Sequence, residues 1–536
     1  MNPSAHIDTF ARDSLPPRGE WPELFFDLPE LHYPPRLNCA VELLDRMVAG
    51  GHGERIALRT PDGACTYRQL LARANRIAHV LRDDLKLVPG NRVLLRGPNN
   101  PMMAACWFAV IKAGCIAVAT MPLLRAKELQ PIIDKAKIAT ALCDVRLMEE
   151  IELVRRECPG LNQVMAFNDG AAGSLEALLE NKSDEFTNCD TALDDVALIA
   201  FTSGTTGQPK GTMHFHRDVM AMCDCFPRSI LKPDADDIFC GTPPIAFTFG
   251  LGGMLCFPMR FGASVVLVEK LLPDALLKTI QDFKATVCFT APTFWRQMAG
   301  LAKHYDLSSL KQCVSAGEAL PDATRQLWKE ATGIEIIDGI GATEMIHIFI
   351  SHTPETVRRG ATGYAIPGYR ARVVDEAGRP LPPGTIGRLA VQGPTGCRYL
   401  ADERQKQYVQ DGWNLTGDAY KMDADGYFFY QARTDDMIIS AGYNIAGPEV
   451  EDALLKHPAV AECGVVGMPD EERGQIVKAF VILRPGYAAS ATLVKDLQDF
   501  VKSSVAPYKY PRAVEFVDTL PRTETGKLQR FKLRSA

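Results

Sequence analysis

Residues 201–211, FTSGTTGQPKG, hold three glycines, four hydroxyl side chains and one lysine within eleven positions. Glycines let backbone N–H groups come close to an anion, and the hydroxyls of Thr202, Ser203, Thr205 and Thr206 add donors. With Lys210 beside them, the chemistry suits a phosphate. The spacing is not that of a Walker A loop, which needs G-x-x-x-x-G-K-[ST]. Here Gly204 is followed five places later by Pro209, and Lys210 is followed by Gly211. The flanks still suit phosphate: the strand pattern VALIAF enters the loop and a helical pattern begins near His216. No G-x-S-x-G elbow surrounds Ser203, which counts against a hydrolase using that serine.

Further stretches carry groups a nucleotide would need. They are SAGEAL at 315–320, DGIGATEM at 338–345, GWNLTGDAY at 412–420, YQARTDDMIISAGYNIAGPEVE at 430–451 and LPRTETGKLQR at 520–530. A carboxylate suits a hard cation shared with phosphate oxygens, and it also suits a pair of sugar hydroxyls. In this order the six stretches resemble the signatures of the acyl-adenylate-forming superfamily. That superfamily comprises acyl-CoA synthetases, luciferases and the adenylation domains of peptide synthetases. The resemblance runs from roughly residue 30 to 530.

The resemblance implies a set of roles. Thr202, Ser203, Gly204, Thr205, Thr206 and Lys210 would grip the outgoing phosphates of ATP. Gly317, Glu318 and Ala319 would flank the adenine. Asp338 would lie near its amino group, with Gly339, Ile340 and Gly341 continuing the ATP-binding run. Thr343 would contact the α-phosphate and Glu344 would hold Mg²⁺. Asp418 would accept from the ribose hydroxyls, and Arg433 would reach ribose and phosphate. Asp435 matches a hinge residue, Gly442 a glycine that lets a pantetheine arm pass, and Lys527 the catalytic lysine.

The acid and its acceptor are also suggested by resemblance. APYKYPR at 506–512 is similar to a CoA-ligase element in which Tyr508, Lys509 and Arg512 would meet the CoA nucleotide. Asn444 departs from the arginine often found two places after the glycine. AFTFGLGG at 246–253 and GATEMIHIFIS at 341–351 resemble the benzoate and 2-aminobenzoate branch of the aryl-CoA ligases. There Thr248, Phe249, Gly341, His347 and Ile348, with Lys527, would line a small flat pocket. Phe and Ile walls suit an aromatic ring, and His347 can meet a carboxylate or ring substituent. Benzoate enzymes tend to carry Ala-Tyr where this chain has Thr248-Phe249. The threonine hydroxyl could accept from an ortho amino group, which leans the reading toward 2-aminobenzoate. ATP, Mg²⁺ and coenzyme A are the implied cofactors and co-substrates. The alternative is a stand-alone aryl-acid adenylating enzyme that loads a carrier protein.

These groups must be positioned by more than one domain, because 536 residues exceed a single core. Short apolar strands (RVLLRG, TALCD, VALIAF, SVVLVE, TVCFTA, EIIDGI) alternate with helical patterns such as YRQLLARANRIAHVLRDDL and DATRQLWKEATG. That alternation predicts an α/β fold with parallel, doubly covered sheets. We expect a large N-terminal domain over 1–434, made of two parallel-type sheets with helices and a β-rich subdomain at about 360–434. A small mobile α+β domain is expected over 435–536, which places Lys527 beyond the hinge.

Composition narrows the partners. A net charge of −6 offers no basic surplus for nucleic acid. The apolar stretch 102–124 is long enough to suggest a membrane span, but Lys112 interrupts it and Ala113-Gly114 follow. It reads as a buried helix, a turn and a strand, so no membrane partner is expected. The N-terminus, MNPSAHIDTFARD, lacks the pattern of a signal peptide. Fifteen scattered cysteines with no C-x-x-C pair read as reduced thiols of a cytoplasmic protein. Oligomeric state stays open, a homodimer among the options.

Overall fold

The computed structural model describes residues 2–534 except 203–208, 270–271, 435, 441–442, 471–472 and 523–527. Two large sheets carry most of the chain. The first has six strands in the order Gln163–Phe167, Thr140–Asp144, Arg92–Arg96, Ile116–Thr120, Val196–Thr202 and Lys210–Phe215. Neighbours are parallel except for the last pair, which is antiparallel. The inner strands Arg92–Arg96 and Thr140–Asp144 are buried at every position, as sheets covered on both faces require.

The stretch 102–124 folds as expected. Asn100 caps the helix Pro101–Lys112 by accepting from the Met103 N–H, and Pro101 supplies a pre-set first turn. Gly114 then turns the chain at φ +73° into the strand Ile116–Thr120. A Cβ there would lie 2.5 Å from Cys189 Sγ, so the tight reversal requires glycine. Lys112 is fully buried but its ammonium is paired with Asp45. No helix among the described residues is long and apolar enough to cross a membrane.

The second sheet has nine strands. Its parallel centre runs Ile336–Gly341, Gln312–Ser315, Val287–Thr290, Ile238–Gly241, Ser264–Val266 and Ile56–Thr60. Antiparallel strands close both ends, Ile348–Ser351 and Tyr364–Ala365 at one and Gly63–Thr66 at the other. An antiparallel sheet then gathers Arg370–Val374, Ile386–Gln392, Val409–Gln410, Trp413–Met422 and Phe428–Arg433, matching the expected β-rich texture.

The last hundred residues mix strands and helices, an α+β pattern. A hairpin (Ile438–Ser440, Tyr443–Ile445) precedes the helix Gly447–Leu455. A three-stranded sheet (Val460–Asp470, Gly474–Leu483, Ala513–Phe516) packs with the helix Ala491–Ser504. Ile438, Val450, Val465, Val481 and Leu497 form a hydrophobic cluster of their own here. Polar contacts tie this part to the rest. Arg296 donates to the carbonyls of Ala461 and Leu455 at 3.2 and 3.3 Å, and Asp452 accepts from the Ala323 N–H at 3.0 Å. All fifteen cysteines are free thiols, and all but Cys189 are buried.

Candidate functional site

Parallel sheets place ligands at the carboxyl ends of their strands. In the nine-stranded sheet two predicted ligand loops leave neighbouring parallel strands at that end. Ser315 pairs in register with Asp338, so SAGEAL and DGIGATEM leave neighbouring strands side by side. Gly317 turns the first loop at φ +91°. Glu318 accepts from Thr293 Oγ1 at 3.2 Å and lies 3.7 Å from Arg522. Arg522 forms an isolated bridge with Leu528, so the residues on either side of the predicted catalytic loop come to the predicted adenine loop. Lys527 itself lies outside the described residues.

Asp338 is buried, and the loss of water pushes its carboxyl up to about 7, against the opposing pull of Arg325. Its backbone is fixed from two sides. The N–H donates to His352 Nε2 at 3.1 Å, and the carbonyl accepts from Ser351 Oγ at 2.6 Å. Gly339 and Gly341 are glycines for steric reasons. A Cβ on Gly339 would meet Ile348 at 2.9 Å, and one on Gly341 would meet the His347 carbonyl carbon and oxygen at 2.8 Å. The pairing is irregular between Ile340 and Gly341, opposite Ile348. Ile340 is half-buried and packs against the main core.

The chain then makes a single 3₁₀ turn, Thr343–Met345, and reverses at Ile346. Ile346 has φ +65° and ψ −36°, a costly conformation for a buried β-branched residue. That reversal sets His347 and Ile348 back against Gly341. Glu344 is buried, and its Oε1 accepts from Tyr399 Oη at 2.6 Å. No hydrogen bond from the described residues reaches Oε2. Such a carboxylate oxygen fits a hard divalent cation. Among the described residues no cluster of three or more His, Cys, Asp or Glu could hold a metal. A cation here would therefore take its other ligands mainly from nucleotide and water.

The strand that enters the phosphate-type loop and the helix from His216 are both found, with a strand between them that the sequence pattern did not reveal. Thr202 ends one strand and Lys210 begins the next, and the two pair directly across an antiparallel hairpin. The helix His216–Phe226 starts only after the strand Lys210–Phe215, so the loop joins strand to strand rather than strand to helix. The strand KGTMHF hides behind buried polar residues. Its Thr212 and His214 are fully buried, and the Thr212 hydroxyl has no hydrogen-bond partner among the described residues. His214 Nε2 lies 2.8 Å from the Thr343 carbonyl, which joins the two large sheets at the site. Ser203, Gly204, Thr205 and Thr206 lie outside the described residues. Ala319 lies in the described loop between Ser315 and Asp322.

Asp418 and Arg433 face each other across paired strands, and Arg433 Nη1 donates to Asp418 Oδ1 at 3.1 Å. Gly417, at φ +76°, leaves room for that guanidinium: a Cβ would sit 2.8 Å from Arg433 Nη2.

Thr248 opens the short helix Thr248–Leu251, and its backbone continues through three close-packed glycines. A Cβ on Gly252 would touch the His347 ring at 2.5 Å, and one on Gly253 would touch Phe289 at 2.6 Å. The His347 ring is caged by Phe257, Phe226 and Phe249 at 4.6, 5.6 and 5.7 Å between centroids. Both its nitrogens are buried without a hydrogen-bond partner among the described residues. Burial pulls the imidazole down to about 3, with the nearby Phe249 backbone opposing only in part. His347 is thus neutral near pH 7: it offers a donor and an acceptor but no charge. Ile348 is buried beside it.

The residues assigned to CoA sit apart from this cluster. Tyr508 stacks on Tyr443 at 4.6 Å and 28°, and both are exposed. Lys509 is already engaged, with Nζ 2.6 and 2.7 Å from the two carboxylate oxygens of Glu449. Arg512 lies over Tyr510 at 4.8 Å. Asp435 and Gly442 lie outside the described residues. Sequence reasoning missed His214, Asp218, Arg398 and Tyr399, because their partners stand 55 to 180 residues away.

The AMP-binding enzyme model matches residues 46–399, and the AMP-binding enzyme C-terminal domain model matches 449–527. A benzoate–CoA ligase of Thauera aromatica is 35% identical over 515 residues, 95% of this chain and 98% of that protein. An anthranilate–CoA ligase solved with anthranoyl-AMP superposes with a TM-score of 0.90 at 36% identity, covering 95% of this chain and 98% of that one. A benzoate–CoA ligase of Burkholderia xenovorans LB400 gives 0.85 at 30% identity, covering 93% and 99%. With matches to both parts of the chain, this protein belongs to the AMP-binding enzyme family and is an acyl-adenylate-forming ligase.

Proposed function

We propose that the protein is an aryl–CoA ligase acting on an aromatic carboxylic acid of the 2-aminobenzoate or benzoate type. In the first step the acid carboxylate attacks the α-phosphate of ATP, forming aryl-AMP and releasing pyrophosphate. In the second the CoA thiol attacks the acyl carbon, forming the thioester and releasing AMP. Two anions must approach in the first step, so cationic and donor groups are needed around them.

In this reading Lys527 bridges carboxylate and α-phosphate, Thr343 contacts the α-phosphate, and residues 202–210 hold the leaving phosphates. Mg²⁺ would be held at Glu344 and would neutralise charge on the nucleotide phosphates. Asp338, Gly317, Glu318 and Ala319 receive the adenine, and Asp418 with Arg433 the ribose. Residues 435–536 act as the mobile small domain, hinged at Asp435. Gly442, Tyr508 and Arg512 would serve the CoA arm and nucleotide. Lys509 would have to share or give up Glu449 to join them.

The observation that carries the substrate class is the His347 cage. A neutral imidazole with two unpartnered nitrogens sits among three phenylalanines, only three residues beyond Glu344. That wall accepts a flat ring and pairs with one polar substituent, and it offers no charge to a long aliphatic acid. The anthranoyl-AMP bound by the structurally similar ligase supports the same class. The test separates CoA from a carrier acceptor. With ATP, Mg²⁺ and 2-aminobenzoate, AMP should be released in multiple turnovers only when CoA is added. Turnover with a phosphopantetheinylated carrier protein but not with CoA would overturn the reading.

A further inference from the structure

The segment 398–404 belongs to none of the assigned motifs, yet it touches both halves of the adenylation site. Its backbone runs beside the strand Lys210–Phe215. The Met213 N–H donates to the Arg398 carbonyl and the Leu400 N–H to the Gly211 carbonyl, each at 2.8 Å. Its side chains then reach outward. Arg398 Nη1 donates to Asp218 Oδ2 at 2.7 Å in a fully buried ion pair. The same Asp218 oxygen lies 3.8 Å from Nδ1 of His214, whose other nitrogen meets the Thr343 carbonyl. Asp402 holds Arg404 at 2.6 Å and is also paired with Lys135. Lys135 Nζ lies 3.4 Å from the Pro209 carbonyl, at the foot of the phosphate-type loop.

Tyr399 sits between these two ends. Its hydroxyl donates to Glu344 Oε1 at 2.6 Å, and Lys210 Nζ stands 3.5 Å from that same hydroxyl. No ion pair joins Lys210 to Glu344 directly. The phenol is thus interposed between a lysine and the carboxylate that would hold a cation. A neutral donor leaves the carboxylate its full charge, whereas an ammonium in contact would compete with the cation for it.

We propose that residues 398–404 form a positioning brace for adenylation, and that the Tyr399 hydroxyl fixes Glu344 so that Oε2 stays available to a divalent cation. Tyr399 is then a positioning residue, acting through Glu344. This rests on the reading of Glu344 as the cation-holding carboxylate. Deleting the hydroxyl leaves Oε1 buried without a donor and lets Lys210 close on the carboxylate. Losing one hydrogen bond to a charged group should weaken cation-dependent nucleotide binding about tenfold.

The test is calorimetric titration of ATP into the whole protein without acid substrate, with and without Mg²⁺. Wild type, Tyr399→Phe, Glu344→Gln and the double variant are compared. Tyr399→Phe should lose about tenfold in ATP affinity with Mg²⁺ and little without it. In the Glu344→Gln background it should cost nothing more. Equal loss with and without Mg²⁺ would mean a merely structural tyrosine and would overturn the proposal, as would wild-type affinity in both conditions. If Glu344→Gln alone kept the full Mg²⁺ effect while Tyr399→Phe lost it, the cation role of Glu344 would fall, and the proposal with it.

Discussion

His347 is held neutral by burial, and that has a consequence for stability. Its free value near 6.5 falls to about 3 in the fold, and His216 and His352 fall to about 3 and about 4 for the same reason. The sign follows from linkage. Below pH 6.5 the unfolded chain binds protons that these buried rings refuse, so their contribution is present above 6.5 and is lost as pH falls toward 3. Asp338, raised to about 7, works in the opposite sense over the same range. The clean comparison is therefore between wild type and His347→Gln, each unfolded by urea at pH 7 and pH 5. The variant should escape about 2 kcal/mol of the acid-induced loss; parallel losses would show that His347 is not buried as a neutral ring. The residue types at this site were legible in the sequence, because glycine, carboxylate and lysine signatures lie in windows of about ten residues. The ionisation state of His347 was not, because its cage comes from Phe226, Phe249 and Phe257, about a hundred residues away.

Among the elements, the strand Ile336–Gly341 and its return strand Ile348–Ser351 do most of the positioning. They carry the predicted adenine contact, the Thr343–Glu344 pair and the caged His347 on one antiparallel connection. The close approach at Gly341 leaves no space for a side chain, since the 2.8 Å neighbours are backbone atoms of His347. Gly341→Ala should therefore force the two strands apart, cost about 1–3 kcal/mol in chemical denaturation and raise the KM for the acid more than that for ATP. Unchanged stability with unchanged KM values would contradict the packing described. Strand EIIDGI and the helix 101–112 were readable from apolar runs and caps. Of the hairpin Val196–Thr202/Lys210–Phe215 only the first strand was read, because the alternation in KGTMHF spans just Thr212 to Phe215. Its buried Thr212 and His214 read as polar surface until the backbone of Tyr399 bridges to Thr212 and the Thr343 carbonyl meets His214.

At the scale of the whole molecule, the β-rich texture before about residue 434 and the α+β character of the last hundred residues were legible from turn residues and strand spacing. The contacts made by Arg296, Asp452 and Arg522 across to distant elements were not, since nothing local marks them. Arg522 brings the final segment to Glu318 in the predicted adenine loop. Lys527→Ala should lower adenylate formation by about 10²–10³, the typical cost of removing one preorganised donor. The thioester step from preformed aryl-adenylate should suffer far less. Equal losses in both steps would remove Lys527 from its assigned place. The central claim, an aromatic acid activated through its adenylate, is tested most directly by a panel of acids. AMP formation dependent on both ATP and CoA is measured for 2-aminobenzoate, benzoate, short-chain acids and fatty acids under one set of conditions. The account predicts the highest kcat/KM for the two aromatic acids, with 2-aminobenzoate ahead, and a clear preference for a fatty acid would contradict it.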